Sequence, residues 1–243
     1  MNAAAPTSAP LATDPLDFSL ADRLPARVAG QGRLIVGALP QDGRPGLLFV
    51  PGAYHGAWCF AHYLDYFAAA GLACAALDLR GHGALPQDAA FASTTIADLG
   101  HDVACALDAL EGPTIVVGHS MGALPALLAA RQRPVAGVVL MAPSPPGDLP
   151  GALALPPVPG ATPRAAPAPA EIRARFLATS PDRDVRAVTE RLCAESPQVL
   201  NDRYLLRVAL GDASFNAPGL CLAAGLDTHD RHPPGQDLSL IHI

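Results

Sequence analysis

The residues best suited to catalysis form a short motif, Gly118-His119-Ser120-Met121-Gly122. A β-branched run at residues 114–117 precedes the motif, and an apolar helical pattern begins directly after it. A serine on a sharp turn between a strand and a helix holds its hydroxyl clear of the backbone, where a base can deprotonate it. The Met121 N–H would then lie at a helix N-terminus and point toward a developing oxyanion. This spacing predicts that Ser120 attacks a carbonyl group; a chance motif in an ordinary turn is the alternative.

The composition excludes several other kinds of chemistry. All 16 basic residues are arginine, and the absence of lysine excludes Schiff-base, pyridoxal phosphate and P-loop chemistry. The five cysteines are scattered without metal-ligand spacing, so we predict no metal and no other cofactor. A net charge of −6 argues against nucleic acid as a partner. We also predict no membrane span and a cytoplasmic location, because no long apolar run or signal-peptide pattern is present. The sequence gives no indication of oligomeric state.

Apolar periodicity predicts strands that alternate with helices after an N-terminal hairpin. The predicted strands are 26–29, 33–39, 47–50, 72–79, 114–117, 137–142 and 220–224, and the predicted helices of the core are 57–70, 94–110 and 123–133. Ser93 or Thr94 would cap the second of these helices. Such alternation is typical of an α/β fold with a doubly wound, mostly parallel sheet. Ligands bind at the carboxyl ends of the strands in these sheets, where the sequence places Gly52, Asp78, Ser120 and Ala142.

Changes in composition and apolar pattern along the sequence divide the chain into five predicted segments. They are a disordered leader (1–22), the first part of the core (23–144), an inserted helical lid (145–215), the second part of the core (216–237) and a non-native tail (238–243). The lid would contain helices at 171–178, 182–195 and 201–210. Its Pro/Ala/Gly-rich beginning, 143–169, is too long for a simple connection, although a flexible linker is the alternative.

Three motifs together resemble the α/β-hydrolase fold family over residues 30–234. Besides the serine motif, residues 50–58 (Val-Pro-Gly-Ala-Tyr-His-Gly-Ala-Trp) resemble the family's loop after its third strand, and residues 78–83 (Asp-Leu-Arg-Gly-His-Gly) resemble the loop after its fourth. The resemblance implies a serine nucleophile, with the N–H groups of Ala53 and Met121 as the oxyanion hole. It also implies three substrate-binding residues, His55, Trp58 and His119.

The resemblance further implies an acid and a histidine, in that order, after the serine. Asp227 lies where the family's carboxylate follows the last strand, and Asp230 is the alternative acid. The histidine would follow about 25–40 residues later, but the sequence stops at Ile243. Its last six residues resemble a translated sequencing adapter. We therefore expect the natural protein to continue past Asp237 with the missing strand, helices and catalytic histidine, and we expect this chain to be nearly inactive.

Together these features predict hydrolysis of a small ester, thioester or lactone through an acyl-enzyme, with Asp227 orienting the histidine. Residues 55–58 also resemble plant-type hydroxynitrile lyases, but those enzymes rely on a lysine that this chain lacks. Two alternatives remain open. One is carbon–carbon hydrolase or cofactor-free haloperoxidase chemistry on the same fold. The other is a catalytically dead binding module that uses the pocket as a receptor.

Overall fold

The computed structural model describes residues 14–40, 43–180, 182–211 and 217–224. A single seven-stranded sheet forms the centre of this part of the chain. Its strands are β1 (Ala26–Ala29), β2 (Gly32–Ala38), β3 (Gly46–Val50), β4 (Cys74–Asp78), β5 (Thr114–His119), β6 (Gly137–Met141) and β7 (Gly219–Leu222). Their order across the sheet is β1-β2-β4-β3-β5-β6-β7. The β1–β2 and β2–β4 pairs are antiparallel, and all others are parallel. The predicted mostly parallel α/β sheet is confirmed.

Helices cover both faces of this sheet. Those in the described residues are α1 (Ser19–Arg23), α2 (Ala61–Ala69), α3 (Ile96–Ala109), α4 (Ala123–Gln132), α5 (Pro169–Phe176), α6 (Arg186–Thr189) and α7 (Pro197–Tyr204). One hydrophobic cluster joins α3 and α4 to the sheet, and a second joins α1 and α2 to the opposite face. The central strands are therefore buried on both faces, which explains their continuous apolar sequences. No helix in the described ranges is long and apolar enough to cross a membrane.

The N-terminal cap of α3 differs from the prediction. The cap is Thr95 rather than Ser93 or Thr94. The Thr95 hydroxyl accepts the Asp98 N–H at 3.2 Å, and the Asp98 carboxylate accepts the Thr95 N–H at 2.9 Å. This reciprocal capping box requires an acidic or amide side chain three residues after the cap. Asp98 satisfies that spacing only for Thr95.

The chain between β6 and β7 (residues 142–218), hereafter the β6–β7 segment, has the secondary structure that differs most from the prediction. Helix 182–195 is reduced to α6, and the helix predicted at 201–210 instead begins at Pro197. The Ser196 hydroxyl caps α7 by accepting the Gln198 N–H at 3.2 Å, and proline at the first helical position suits this start. Glu195 cannot continue a helix because its backbone pairs with Arg164 in an antiparallel bridge.

Both ends of the described chain also differ from expectation. Residues 14–22 belong to the predicted disordered leader, yet they include most of α1, which buries Ala21 in the core. The sequence predicts a buried strand at 220–224, but Leu220 and Leu222 of β7 are 53% and 46% exposed. β7 is exposed because it lies at the edge of the described sheet and pairs only with β6 there.

Candidate active site

Ser120 lies on the sharp turn between β5 and α4. Its φ of +52° is a left-handed conformation, which is uncommon for a residue that carries a side chain. The flanking glycines make this turn possible. A Cβ on Gly118 would lie 2.7 Å from the Ala123 Cα, and a Cβ on Gly122 would lie 2.6 Å from the Val50 carbonyl oxygen. The turn is therefore held by contacts that a larger residue at either glycine position would break.

The N–H groups of Ala53 and Met121 come from two neighbouring strand ends. β3 and β5 pair in parallel, with Val50 opposite Gly118, so the residues that follow them leave the sheet side by side. Met121 lies in the first turn of a helix, where N–H groups have no partner within the helix. Ala53, Met121 and Ser120 all line one cavity. The structure thus brings together a serine hydroxyl and two loops that can offer N–H groups to an oxyanion.

Asp78, at the end of β4, holds the loop that follows β3. Its buried carboxylate accepts the N–H groups of Ala57 at 2.6 Å and Ala84 at 3.3 Å. It also forms an ion pair with Arg33 at 2.8 Å. The sequence places Asp78 only at the end of a strand. The structure shows that its carboxylate connects β2, the loop after β3 and the loop after β4.

The cavity beside Ser120 has a volume of about 420 Å³, and five aromatic rings form part of its wall. Its aromatic lining consists of Phe18, Tyr54, Trp58, Phe176 and Tyr204. These rings come from the residues before α1, from the loop after β3 and from the β6–β7 segment. The three residues expected to bind substrate, His55, Trp58 and His119, also line the cavity. A concave cavity of this size, lined by both apolar and polar side chains, suits a small organic molecule.

The histidines beside the cavity are held neutral by burial. Burial lowers the pKa of His55 to about 4 and lowers the pKa of His119 below its ordinary value. His55 Nδ1 lies 2.8 Å from the Ala53 carbonyl oxygen, so this nitrogen donates, and the ring stacks on Trp58. Within the described ranges no histidine forms a hydrogen bond with the Ser120 hydroxyl. The described chain therefore brings no general base to Ser120.

The predicted acids, Asp227 and the alternative Asp230, lie outside the described residues. The catalytic histidine that the sequence analysis expects beyond them is likewise not among the described residues. In the described part of the chain, no group of three His, Cys, Asp or Glu side chains is arranged to hold a metal ion.

Sequence reasoning missed two features beside the cavity, the conformation of Tyr54 and the position of Glu195. Tyr54 has a left-handed φ of +69°. Its N–H donates to the buried Glu195 carboxylate, which lies 141 residues farther along the chain. No local pattern reports such a contact. The Ser-Pro pair at 196–197 is typical of a helix start, but it carries no information about a contact between Glu195 and Tyr54.

Comparisons with known proteins agree with this architecture. No curated protein sequence matches the chain. The structure is similar to that of a methylesterase from Arabidopsis, with 20% identity, a TM-score of 0.57, and coverage of 74% of this chain and 89% of that one. The structure is also similar to that of tomato methylketone synthase I complexed with 2-tridecanone, with 18% identity, a TM-score of 0.61, and coverage of 78% of this chain and 82% of that one. Epoxide Hydrolase A from Mycobacterium thermoresistibile is similar with 20% identity, a TM-score of 0.54, and coverage of 82% of each chain.

At these identities the solved structures show the fold alone. The model of the alpha/beta hydrolase family, however, matches residues 47–239, which is most of the chain. This match includes the loop after β3, the serine motif and the β6–β7 segment. The chain belongs to the alpha/beta hydrolase family.

Proposed function

We propose that this protein is a serine hydrolase that cleaves a carboxylic ester, thioester or lactone through an acyl-enzyme. The observation that carries the proposal is the left-handed Ser120, which lines an aromatic cavity together with Ala53 and Met121. A strained serine conformation costs stability, and such strain is found mainly at functional sites. A hydrolase needs this arrangement because the hydroxyl and the oxyanion donors must reach the same carbonyl group.

In the proposed reaction, Ser120 Oγ attacks the substrate carbonyl carbon. The N–H groups of Ala53 and Met121 donate to the oxygen that becomes negatively charged. The leaving alcohol departs with a proton, and water then releases the acid from Ser120. We assign the proton transfers to an imidazole from outside the described residues, oriented by Asp227 or, alternatively, by Asp230.

The cavity supports a substrate with an apolar group of modest size. Trp58 and Phe176 lie beside His55, with ring centroids 5.4 Å and 5.1 Å from the imidazole. Aromatic walls of this kind bind alkyl and aryl groups by apolar burial. We propose that the β6–β7 segment acts as a lid, because it contributes Phe176 and Tyr204 to the cavity wall.

The proposal is tested by labelling the chain with a fluorophosphonate and locating the adduct by peptide mass spectrometry. We expect phosphonylation of Ser120, no adduct in Ser120→Ala, and unchanged labelling in the control Ser93→Ala, whose serine is exposed. Added imidazole should accelerate labelling and p-nitrophenyl butyrate turnover, because it can act as a base toward the Ser120 hydroxyl. A folded chain that gives no Ser120 adduct with imidazole present would contradict the proposal.

The reaction type is tested by offering p-nitrophenyl esters, a thioester, a lactone and a β-diketone under the same conditions. Turnover of the esters that depends on Ser120 supports the proposal. Turnover of the β-diketone alone would assign carbon–carbon cleavage instead. Binding of these compounds without any Ser120 adduct would indicate a binding module.

A further inference from the structure

A buried ion pair that the proposed mechanism does not use joins the β6–β7 segment to the core. His82 Nε2 lies 3.0 Å from Glu195 Oε2, and both side chains are fully buried. His82 belongs to the loop after β4, and Glu195 comes 113 residues later. Burying two charged groups is costly unless further hydrogen bonds compensate both of them. The remaining partners of the pair therefore indicate what it holds.

Both ring nitrogens of His82 act as donors. Nδ1 lies 2.9 Å from the Arg80 carbonyl oxygen, which can only accept, and Nε2 faces the Glu195 carboxylate. Burial alone would lower the pKa of His82, but the charge and hydrogen bond of Glu195 outweigh it, with Asp78 acting in the same direction, and the pKa is raised. Because both nitrogens face acceptor oxygens, the geometry favours the doubly protonated ring, which holds the carboxylate in one orientation.

The Glu195 carboxylate uses its remaining capacity on two backbone N–H groups. Oε2 accepts the Tyr54 N–H at 3.0 Å, and Oε1 accepts the Ser196 N–H at 2.8 Å. The Tyr54 carbonyl oxygen in turn accepts the Cys193 N–H at 3.0 Å. Tyr54 is therefore held on its N–H side and on its carbonyl side by residues 193–195 of the β6–β7 segment.

These contacts act where the backbone is strained. Tyr54 has a φ of +69°, which a tyrosine adopts only when its surroundings enforce it. Tyr54 directly follows Ala53, and the Ala53 carbonyl belongs to the same peptide group as the Tyr54 N–H. A change of conformation at Tyr54 would rotate this peptide. The Ala53 N–H belongs to the preceding peptide, which shares the Ala53 Cα, so it would shift relative to Ser120 as the backbone at Ala53 adjusts.

We propose that Glu195 is a positioning residue for the oxyanion hole: held by His82, its carboxylate keeps Tyr54 in the left-handed conformation and so directs the Ala53 N–H into the cavity. The inference rests on the proposed function, because the orientation of Ala53 matters only if its N–H receives an oxyanion. It implies that the contact between the β6–β7 segment and the core affects catalysis at Ser120. Without residues 193–195 in place, Tyr54 would lose the hydrogen bonds at its N–H and at its carbonyl oxygen.

The test compares Glu195→Gln with Glu190→Gln, a control on the same segment whose side chain is exposed. Hydrogen exchange of a peptide that covers residues 52–58 reports whether the hydrogen bonds to Tyr54 are kept, and it does not require activity. We expect exchange in this peptide to become at least 10-fold faster in Glu195→Gln and to stay unchanged in Glu190→Gln. Glu195→Asp, which keeps the charge, should restore part of the protection.

The concentration dependence of fluorophosphonate labelling, with imidazole present, separates binding from chemistry at Ser120. We expect the limiting rate to fall about 10- to 100-fold in Glu195→Gln, because one oxyanion donor contributes about 10²–10³. The apparent affinity should change little, whereas a general loss of structure would weaken both. Faster exchange with a limiting rate equal to that of Glu190→Gln would overturn the positioning role. A wild-type chain that is not labelled at all would contradict the proposed function instead.

The double variant His82→Gln/Glu195→Gln covers the case in which Glu195→Gln does not fold, because it leaves no lone charge in the core. We expect the same faster exchange and slower labelling in this variant. An NMR titration of the His82 ring adds an independent readout. The pKa of His82 should fall in Glu195→Gln, since the facing carboxylate no longer raises it. An unchanged His82 pKa would overturn the pairing on which the proposal depends.

Discussion

The Asp78 carboxylate accepts the Ala57 N–H at 2.6 Å and thereby joins the end of β4 to the loop that carries Ala53. The same carboxylate pairs with Arg33, whose side chain is partly buried. We expect Asp78→Ala to destabilise the protein by about 3–5 kcal/mol, because it leaves a cation and buried N–H groups without their acceptor. Urea unfolding followed by circular dichroism measures this change.

The matched control for Asp78 is Asp108→Ala. Asp108 also pairs with an arginine, Arg133, but both side chains of this pair are well exposed. Exposed ion pairs contribute little because water and salt screen them. We expect the unfolding midpoint of Asp108→Ala to stay close to that of the unmodified chain. Equal losses in the two variants would contradict a structural role for Asp78.

Gly122→Ala should disrupt the turn that carries Ser120. The added methyl group would meet the carbonyl oxygens of Val50 and Pro51, which are backbone atoms of the neighbouring strand end and cannot move aside easily. We expect a loss of about 1–3 kcal/mol in unfolding free energy and labelling of Ser120 at least 10-fold slower. Gly160→Ala is the control, because its Cβ would meet only the flexible Gln198 side chain. Normal labelling of Gly122→Ala would refute this account of the turn.

The burial of His55 predicts acid sensitivity. Its pKa is about 4 in the folded protein and 6.5 ordinarily, so the unfolded chain binds a proton first as the pH falls. Stability should therefore decrease between about pH 6.5 and 4, by about 2 kcal/mol from pH 7 to pH 5 for this residue. His119, whose pKa is also lowered, adds a loss of the same sign.

The group with the opposite sign is His82, whose pKa is raised by Glu195. Its contribution to stability is fully present below pH 6.5 and is lost only as the pH rises through the raised value. It therefore offsets part of the acid loss above about pH 6.5 and adds nothing further below that pH. His55→Gln should reduce the difference in unfolding free energy between pH 7 and pH 5, whereas the exposed His101→Gln should not. An identical difference in His55→Gln would rule out burial of His55 as the cause.

The residues before α1 should contribute to substrate binding. The Phe18 ring packs edge-on against Trp58 with centroids 4.9 Å apart, and both rings line the cavity. We expect Phe18→Ala to weaken phosphonate binding about 3- to 10-fold while the limiting labelling rate stays nearly constant, because the ring provides uniform apolar contact. Tyr66→Ala, at an exposed ring on α2, is the control. A fall in the limiting rate without weaker binding would contradict this assignment.

The sequence by itself determined the α/β class, the alternation of strands and helices, and the serine turn. These features depend on residues that are close together in the chain. Apolar runs specify buried strands, and the glycines at 118 and 122 permit the turn that Ser120 occupies. The elements of the β6–β7 segment were predicted less well, since its short helices begin and end where buried contacts from distant residues require them.

Only the tertiary structure decided how the cavity is built and held. Phe18 reaches Trp58 from a stretch whose composition suggests disorder, and Glu195 reaches Tyr54 across 141 residues. Neither contact has a local signature, because burial and hydrogen bonding depend on which loops meet at the carboxyl ends of the strands. A short motif can therefore identify the nucleophile, whereas the residues that shape its surroundings are fixed by packing between elements far apart in the sequence.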